Sequence, residues 1–332
     1  MKKGDKMRKF FKILGMILIA IVLLAGIFIY SIRDRISLYT NILKKYSEFV
    51  EDGESLTQDT SLKAIDYIDY NNVEYKNTNG VPLNLDIYSP KKDVKGGSPV
   101  ILYVHGGSWV YGGKEIPQAI SPLLDSFREE GFTIISTSYE LMRNEENFSK
   151  QISDVKDTIR WIYKNKDKFD FNTDRIGVIG ASSGAHLALM AAYSDNNEFI
   201  DSPELKDYPC DIKYIIDFFG PTDLSTLDIN NVQWDLEQII NSVGENKDEI
   251  LNKYSPINYV DKEEPTTLIV HSKQDKIVPY ENAELLYNKL KSNGNKSELI
   301  TLEGTSHDFS QIDIDELVGV GIKMLEFIAK NM

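Results

Sequence analysis

The amino-acid sequence predicts an α/β protein whose mostly parallel sheet carries helices on both faces, preceded by one N-terminal transmembrane helix. Three observations carry that expectation. From about residue 64 onward, short apolar runs alternate with amphipathic helical stretches, the pattern of parallel strands covered on both sides by their crossovers. One such run, residues 175–179, leads through Gly180-Ala181-Ser182-Ser183-Gly184 into residues 185–192, which are rich in strong helix formers. Residues 13–30 hold no charged side chain and follow a basic leader.

Taken in order, residues 1–12 form a basic segment in which Lys2, Lys3, Lys6, Arg8, Lys9 and Lys12 face Asp5 alone. The next eighteen residues, 13–30, would span roughly 27 Å as a helix, close to the thickness of a bilayer. That run is longer than a secretory signal core, and no small-x-small cleavage site follows it, so an uncleaved anchor is expected. Cleavage and secretion is the alternative. Only Arg33 and Arg35 follow the span closely, so the N-terminus stays in the cytoplasm and the body faces outside as a single-pass protein of the cell membrane. Residues 31–63 are read as a stalk helix and linker. Tyr39, Ile42, Leu43, Tyr46, Phe49 and Val50 recur at helical spacing, either as a stalk or as a helix packed on the body, and residues 51–61 are polar.

The body, residues 64–332, opens with two alternating segments around Val73 to Tyr75 and Leu83 to Tyr88, read as antiparallel strands at the sheet edge. Nearly continuous apolar runs at 99–104, 132–136, 176–179, 214–219 and 267–270 are read as inner strands. Helices are expected over 152–166, 281–290 and 314–329. Residues 223–258 exceed a plain crossover and are read as a small cap insertion over the C-terminal strand ends. Trp234 within it is either substrate-facing or cap core.

Residues 1–35 hold eight Lys/Arg and two Asp/Glu, so a chain of net charge −14 leaves −20 on the remainder. A body that acidic argues against nucleic acid as a partner. Cys210 is the lone cysteine, which excludes an intramolecular disulfide and a thiolate metal cluster; a small core hydrophobe is its expected role.

A Gly-x-Ser-x-Gly between strand and helix is the setting of an activated serine: the turn projects the hydroxyl, and the helix N-terminus behind it favours negative charge. Serine chemistry further requires a base, an acid that orients the base, and donors for an oxyanion. His307, in the loop between the strand-like segment 298–302 and the last helix, is the leading base. Asp275, in the loop after the run at 267–270, is the leading acid, with Asp223 as the alternative; Asp308 is expected to point away. His105-Gly106-Gly107-Ser108-Trp109 follows an inner strand, and Gly107, with Gly106, would turn backbone N–H groups toward a carbonyl; the Ser183 N–H would complete the hole.

These segments resemble serine esterases of the α/β-hydrolase fold, in particular the carboxylesterase and acetyl- or feruloyl-esterase-like group, with similarity also to hormone-sensitive-lipase-like esterases. The resemblance rests on residues 105–109, Asp174-Arg175-Ile176 ahead of Gly180 to Gly184, Phe219 to Leu224, Ser255-Pro256, Asp275 with Val278-Pro279, and Gly304 with His307, and it covers about residues 70–330. The chain departs from lipase-like relatives at Ser108, where they often carry a third glycine, and at Glu140, where many carry arginine. The resemblance implies a catalytic triad of Ser182, Asp275 and His307, with Trp109 and Tyr139 beside the substrate and neither metal nor organic cofactor. It implies hydrolysis of short-chain, acetyl-like esters of small molecules or carbohydrates through an acyl-enzyme, outside the cytoplasm. The alternatives are an aryl-formamidase-like amide hydrolase and a catalytically silent binding module on the same fold.

Overall fold

The computed structural model describes residues 67–332, apart from 79, 118–119, 229–233, 308 and 310–311, together with Thr40 and Asn41. The chain divides into two compact units, Met1–Glu54 and Ser55–Met332. In the first, Thr40 and Asn41 are helical. The expected membrane span at 13–30 and nearly all of the stalk and linker at 31–63 lie outside the described residues. Among the described residues no helix is long and apolar enough to cross a membrane.

The second unit is built on one eight-stranded sheet: β1 (Tyr70–Thr78), β2 (Val81–Tyr88), β3 (Ser98–Val104), β4 (Thr133–Thr137), β5 (Phe171–Ala181), β6 (Tyr214–Phe218), β7 (Thr266–Ser272) and β8 (Ser297–Leu302), in the order β1-β2-β4-β3-β5-β6-β7-β8. β1 pairs antiparallel with β2 and β2 with β4; every other pair is parallel. The apolar runs read from sequence are the parallel strands, and β3 and β4 are buried along their whole length, as strands covered on both faces must be.

Among the described residues the helices are α1 (Ser121–Glu129), α2 (Phe148–Lys164), α3 (Lys166–Phe169), α4 (Ser183–Tyr193), α5 (Trp234–Ser242), α6 (Lys247–Lys253), α7 (Glu281–Ser292) and α8 (Ile314–Asn331). Val100, Leu102 and Val104 of β3 pack with Ile152, Val155 and Ile159 of α2 and with Leu187 and Met190 of α4. Leu189, Tyr193 and Ile215 pack with Ala283, Leu286 and Leu290 of α7. Tyr214, the neighbour of Ile215, points to the other face, where its ring meets Phe327 of α8 at 5.9 Å.

Strand order places the site. β3 is flanked by β4 on one side and β5 on the other, so the chain reverses its direction of winding there. The loops leaving β3 and β5 diverge around a crevice at the carboxyl ends of the strands, where ligands of open α/β sheets bind. The segment read as a cap, 223–258, contains α5 and α6. Its Leu236, Ile239, Ile240, Leu251 and Tyr254 join the same core cluster as Trp109 and Phe148, so its apolar side is continuous with the body. The side chain of Trp234 lies outside the described residues. Cys210 is a buried core residue, 3% exposed, and burial pushes its thiol up to about 12.

Candidate active site

β5 ends at Ala181 and α4 begins at Ser183, leaving Ser182 as the turn between them. Its backbone stands at φ 52° and ψ −120°, a region that costs a non-glycine residue about 1–3 kcal/mol. The flanking glycines make the turn sterically possible. A Cβ on Gly180 would lie 2.4 Å from Ala185 Cα, and one on Gly184 would lie 2.3 Å from the carbonyl oxygens of Val104 and His105. The Ser182 N–H donates to the Phe218 carbonyl at 2.7 Å, and the His186 N–H donates to the Ser182 carbonyl at 3.1 Å. The strained turn is thereby anchored to β6 and α4.

His307 meets it from the loop after β8. Its Nε2 lies 2.8 Å from Ser182 Oγ and its Nδ1 lies 2.7 Å from Asp275 Oδ2. An ionised carboxylate only accepts, so Nδ1 carries the proton and Nε2 is free to accept from the serine hydroxyl. The loops bearing acid and base are tied together, since the Ser272 hydroxyl donates to the Thr305 carbonyl. Burial raises the Asp275 carboxyl, but donation from His271 and His307 and from the Val278 N–H outweighs it and holds the group well below the usual carboxylate range. Its Oδ1 accepts from the N–H groups of Ile277 and Val278, both at 2.9 Å. Asp223, the alternative acid, instead accepts from the Ser225 N–H at 3.0 Å, closing a local turn. Asp308 lies outside the described residues.

The third side of the site is the loop after β3. A Cβ on Gly106 would stand 2.8 Å from the Ala181 carbonyl oxygen and 3.3 Å from Ser182 Cβ, so only glycine lets this backbone approach the serine. Gly107, Ser108 and Trp109 follow at φ 130°, 50° and 63°, a run of left-handed residues that persists only where surroundings over-determine it. They do so here. The Trp109 carbonyl accepts from the Met142 N–H at 3.0 Å and from Gln151 Nε2 at 2.9 Å. The Gly107 carbonyl accepts from the N–H groups of Val110 and Tyr111. Ser183 opens the eleven-residue helix α4, so its N–H belongs to a helix N-terminus.

Trp109 and Tyr139 require a correction. Both were expected beside the substrate, yet they are 4% and 3% exposed. The left-handed backbone at Ser108 and Trp109 turns the indole inward, where Nε1 donates to His186 Nδ1 at 3.1 Å. The Tyr139 ring stacks on His105 at 4.3 Å and its hydroxyl donates to the His105 carbonyl at 3.0 Å. The two aromatic residues hold the loop from beneath. Sequence reasoning passed over two further residues. His186 joins loop, helix and insertion: besides accepting from Trp109, its Nε2–H donates to the Tyr254 carbonyl at 2.7 Å. His271 contacts the acid, with Nε2 3.2 Å from Asp275 Oδ2. The available signal was a histidine within an otherwise apolar helix or strand, which must find partners once buried.

Residues 85–290, more than half of the chain, match the BD-FAE family. The chain belongs to the BD-FAE family. Curated relatives of this member include the esterase LipC of Mycobacterium tuberculosis, 27% identical over 236 residues that make up 69% of this chain and 57% of LipC. They also include the probable carboxylic ester hydrolase LipM of the same organism, 23% identical over 87% of this chain and 63% of LipM. The chain therefore spans less than two thirds of either relative's length. Among solved structures, a truncated carbohydrate esterase from gut microbiota aligns with a TM-score of 0.65 and 25% identity, covering 80% of this chain and 99% of that one. The propionate-bound esterase Est2 of Thermogutta terrifontis aligns with a TM-score of 0.64 at 22% identity, over 82% of this chain and 96% of Est2, and shows the same fold. The resemblance to α/β-hydrolase serine esterases holds. By family and architecture this BD-FAE chain resembles carboxylesterase-type hydrolases.

Proposed function

We propose that the chain is a serine carboxylic-ester hydrolase that works through an acyl-enzyme on short-chain, acetyl-like esters of small molecules or carbohydrates. The observation that carries the reading is the unbroken chain from Ser182 Oγ through His307 to Asp275, at 2.8 and 2.7 Å, on a strained strand-to-helix turn. His307 Nε2 takes the Ser182 proton as Oγ bonds to the acyl carbon, and the carbonyl π pair moves onto oxygen. Backbone N–H groups of Gly107 and Ser183, with Gly106, receive that oxyanion; one such donor is worth about 3 kcal/mol in the transition state. Collapse breaks the bond to the alcohol oxygen, which leaves with the proton from His307. Water then repeats the sequence, and Asp275 steadies the imidazolium in both halves.

Carbohydrate esters enter the proposal because a similar structure is named a carbohydrate esterase. The basic leader and charge-free run at 13–30 support anchoring in the cell membrane with this unit outside, or secretion after cleavage. Hydrolysis of p-nitrophenyl acetate and butyrate by the full-length chain, beside Ser182→Ala, tests the chemistry. Removing the serine should lower kcat by about 10⁶. Activity that survives Ser182→Ala would overturn the reading. Alkaline extraction and protease accessibility of expressing cells test the anchor and its orientation.

A further inference from the structure

His271 is the last residue but one of β7 and is wholly buried. Its Nε2 lies 2.9 Å from the Val278 carbonyl oxygen and 3.2 Å from Asp275 Oδ2. A carbonyl only accepts, so Nε2 carries a proton and shares it between that carbonyl and the carboxylate. Oδ2 is the same oxygen that His307 Nδ1 meets at 2.7 Å. Asp275 is thus gripped by two backbone N–H groups on Oδ1 and by two imidazoles on Oδ2.

The ring is fixed from several directions. Phe219 and Tyr280 contact it with ring centroids 5.8 and 6.1 Å away. Asp217 on β6 pairs in register with Ile269, two residues before His271, so Asp217 and His271 share a face of the sheet. The arrangement has a cost. His271 Nδ1 and Asp217 Oδ2 are both buried without a partner among the described residues, and a buried polar atom left unpaired destabilises the fold. An aliphatic side chain would fill a strand end without that penalty. What the imidazole supplies, and an aliphatic group cannot, is the N–H on Asp275.

We propose that His271 is a positioning residue for the reaction: its Nε2–H holds Asp275 Oδ2 at one place, so that the carboxylate meets His307 along a single line. The proposal rests on the serine-esterase reading above. Without that grip Oδ2 has His307 as its only donor among the described side chains, and the two N–H groups on Oδ1 alone must set the carboxylate's last torsion. Misplacement of a catalytic pair by a fraction of an ångström to 1 Å is enough to slow the chemical step without weakening substrate binding.

The test uses the full-length chain and three variants: His271→Leu, which removes the donor; His271→Gln, whose amide reaches the position of Nε2; and His271→Asn, whose amide stops short of it. Active sites are counted by covalent labelling of Ser182 with a fluorophosphonate, and kcat and KM for p-nitrophenyl acetate are taken per labelled site. Leu and Asn should each lower kcat by about ten- to a hundredfold with KM held within about twofold, and Gln should recover most of it. The downfield NMR signal of the proton between His307 and Asp275 should move or broaden in Leu and Asn and return in Gln. If Leu fails to fold, the Gln-to-Asn contrast carries the test. A kcat per labelled site equal to the unmodified chain in Asn or Leu, or a Gln variant as impaired as Asn, overturns the proposal. Absence of turnover and labelling in the unmodified chain strikes the esterase reading, and the proposal with it. Turnover that stays equal in all chains strikes the proposal alone.

Discussion

Two buried corners flank Ser182, and they handle charge in opposite ways. Beneath the loop after β3 the supporting rings of Trp109, Tyr139, His105 and His186 are uncharged at neutral pH. Burial pushes His186 down to about 4 and lowers His105 as well, and the imidazole of His186 is spent as one acceptor and one donor. Behind His307 stand two carboxylates, Asp217 on β6 and Asp275 in the loop after the neighbouring strand β7. Asp275 is held well below the usual range, whereas burial pushes Asp217, whose only donor among the described residues is the Gly220 N–H at 2.8 Å, up to about 6. Burial raises both acids; the number of donors decides which way each finally moves. The division suits the chemistry. An oxyanion pocket gains from a neutral, rigid support whose backbone N–H groups are the nearby positive ends, while a forming imidazolium needs a charge that is already fixed.

The sharpest way to break this contrast is at Asp275. Asp275→Asn keeps the size of the side chain but removes the charge, and its amide can present N–H where His307 Nδ1–H must donate, forcing the wrong tautomer. The kcat for p-nitrophenyl acetate should fall by about 10³–10⁴ with little change in KM. A loss below about tenfold would mean that the orienting charge comes from elsewhere.

A smaller effect is expected in the neutral corner. Trp109→Phe keeps an aromatic ring in the core but leaves His186 Nδ1 buried without its donor. Urea unfolding should show a loss of about 1–3 kcal/mol. With the left-handed loop less firmly held, kcat should fall about tenfold. If stability falls while kcat per labelled site does not, the aromatic support is structural only, and the neutral corner has no part in the chemistry.

Much of this was legible in the chain, for physical reasons that also mark where reading stopped. Parallel strands must be apolar on both faces, so β3 to β7 announce themselves as unbroken runs. Ser182 and Asp275 each follow such a run and His307 follows the edge strand β8, and a loop after a parallel strand has one destination, the carboxyl edge of the sheet. The helix α1 was missed although Pro122 stands at its first turn and Leu124 and Phe127 fall three apart; nine residues are too few for periodicity to speak. Trp109 was assigned to the wrong side of its loop because adjacency in sequence does not tell which way a side chain leaves a left-handed turn. The roles of His186 and His271 were hidden for another reason. The partners of His186 lie 77 and 68 positions away, and those of His271 depend on how one loop folds back on its own strand. Local composition cannot report contacts made only by the finished sheet.

The contrast between the corners extends to stability against pH, where their signs oppose. His186 titrates near 4 in the folded chain against 6.5 when unfolded, so its contribution is intact above 6.5 and is lost as pH falls from there toward 4. Linkage puts that loss at about 3 kcal/mol. His186→Gln, which cannot titrate, should flatten this decline in urea unfolding between pH 7 and 4.5.

Asp217 runs the other way and is the gentler test. Its folded value of about 6 lies above the ordinary 3.8, so its contribution is fully present below 3.8 and is lost as pH rises through 6. At pH 8 the ionised group weighs on the fold by about 2–3 kcal/mol. Asp217→Asn retains an oxygen for the Gly220 N–H and removes the charge. Part of that gain is offset by the new amide N–H, which needs an acceptor in the same buried corner. The variant should therefore be more stable than the unmodified chain at pH 8 by about 1–2 kcal/mol, with the difference shrinking toward zero or reversing at pH 4.5. A difference independent of pH would mean that the Asp217 carboxyl titrates alike in the folded and unfolded chain.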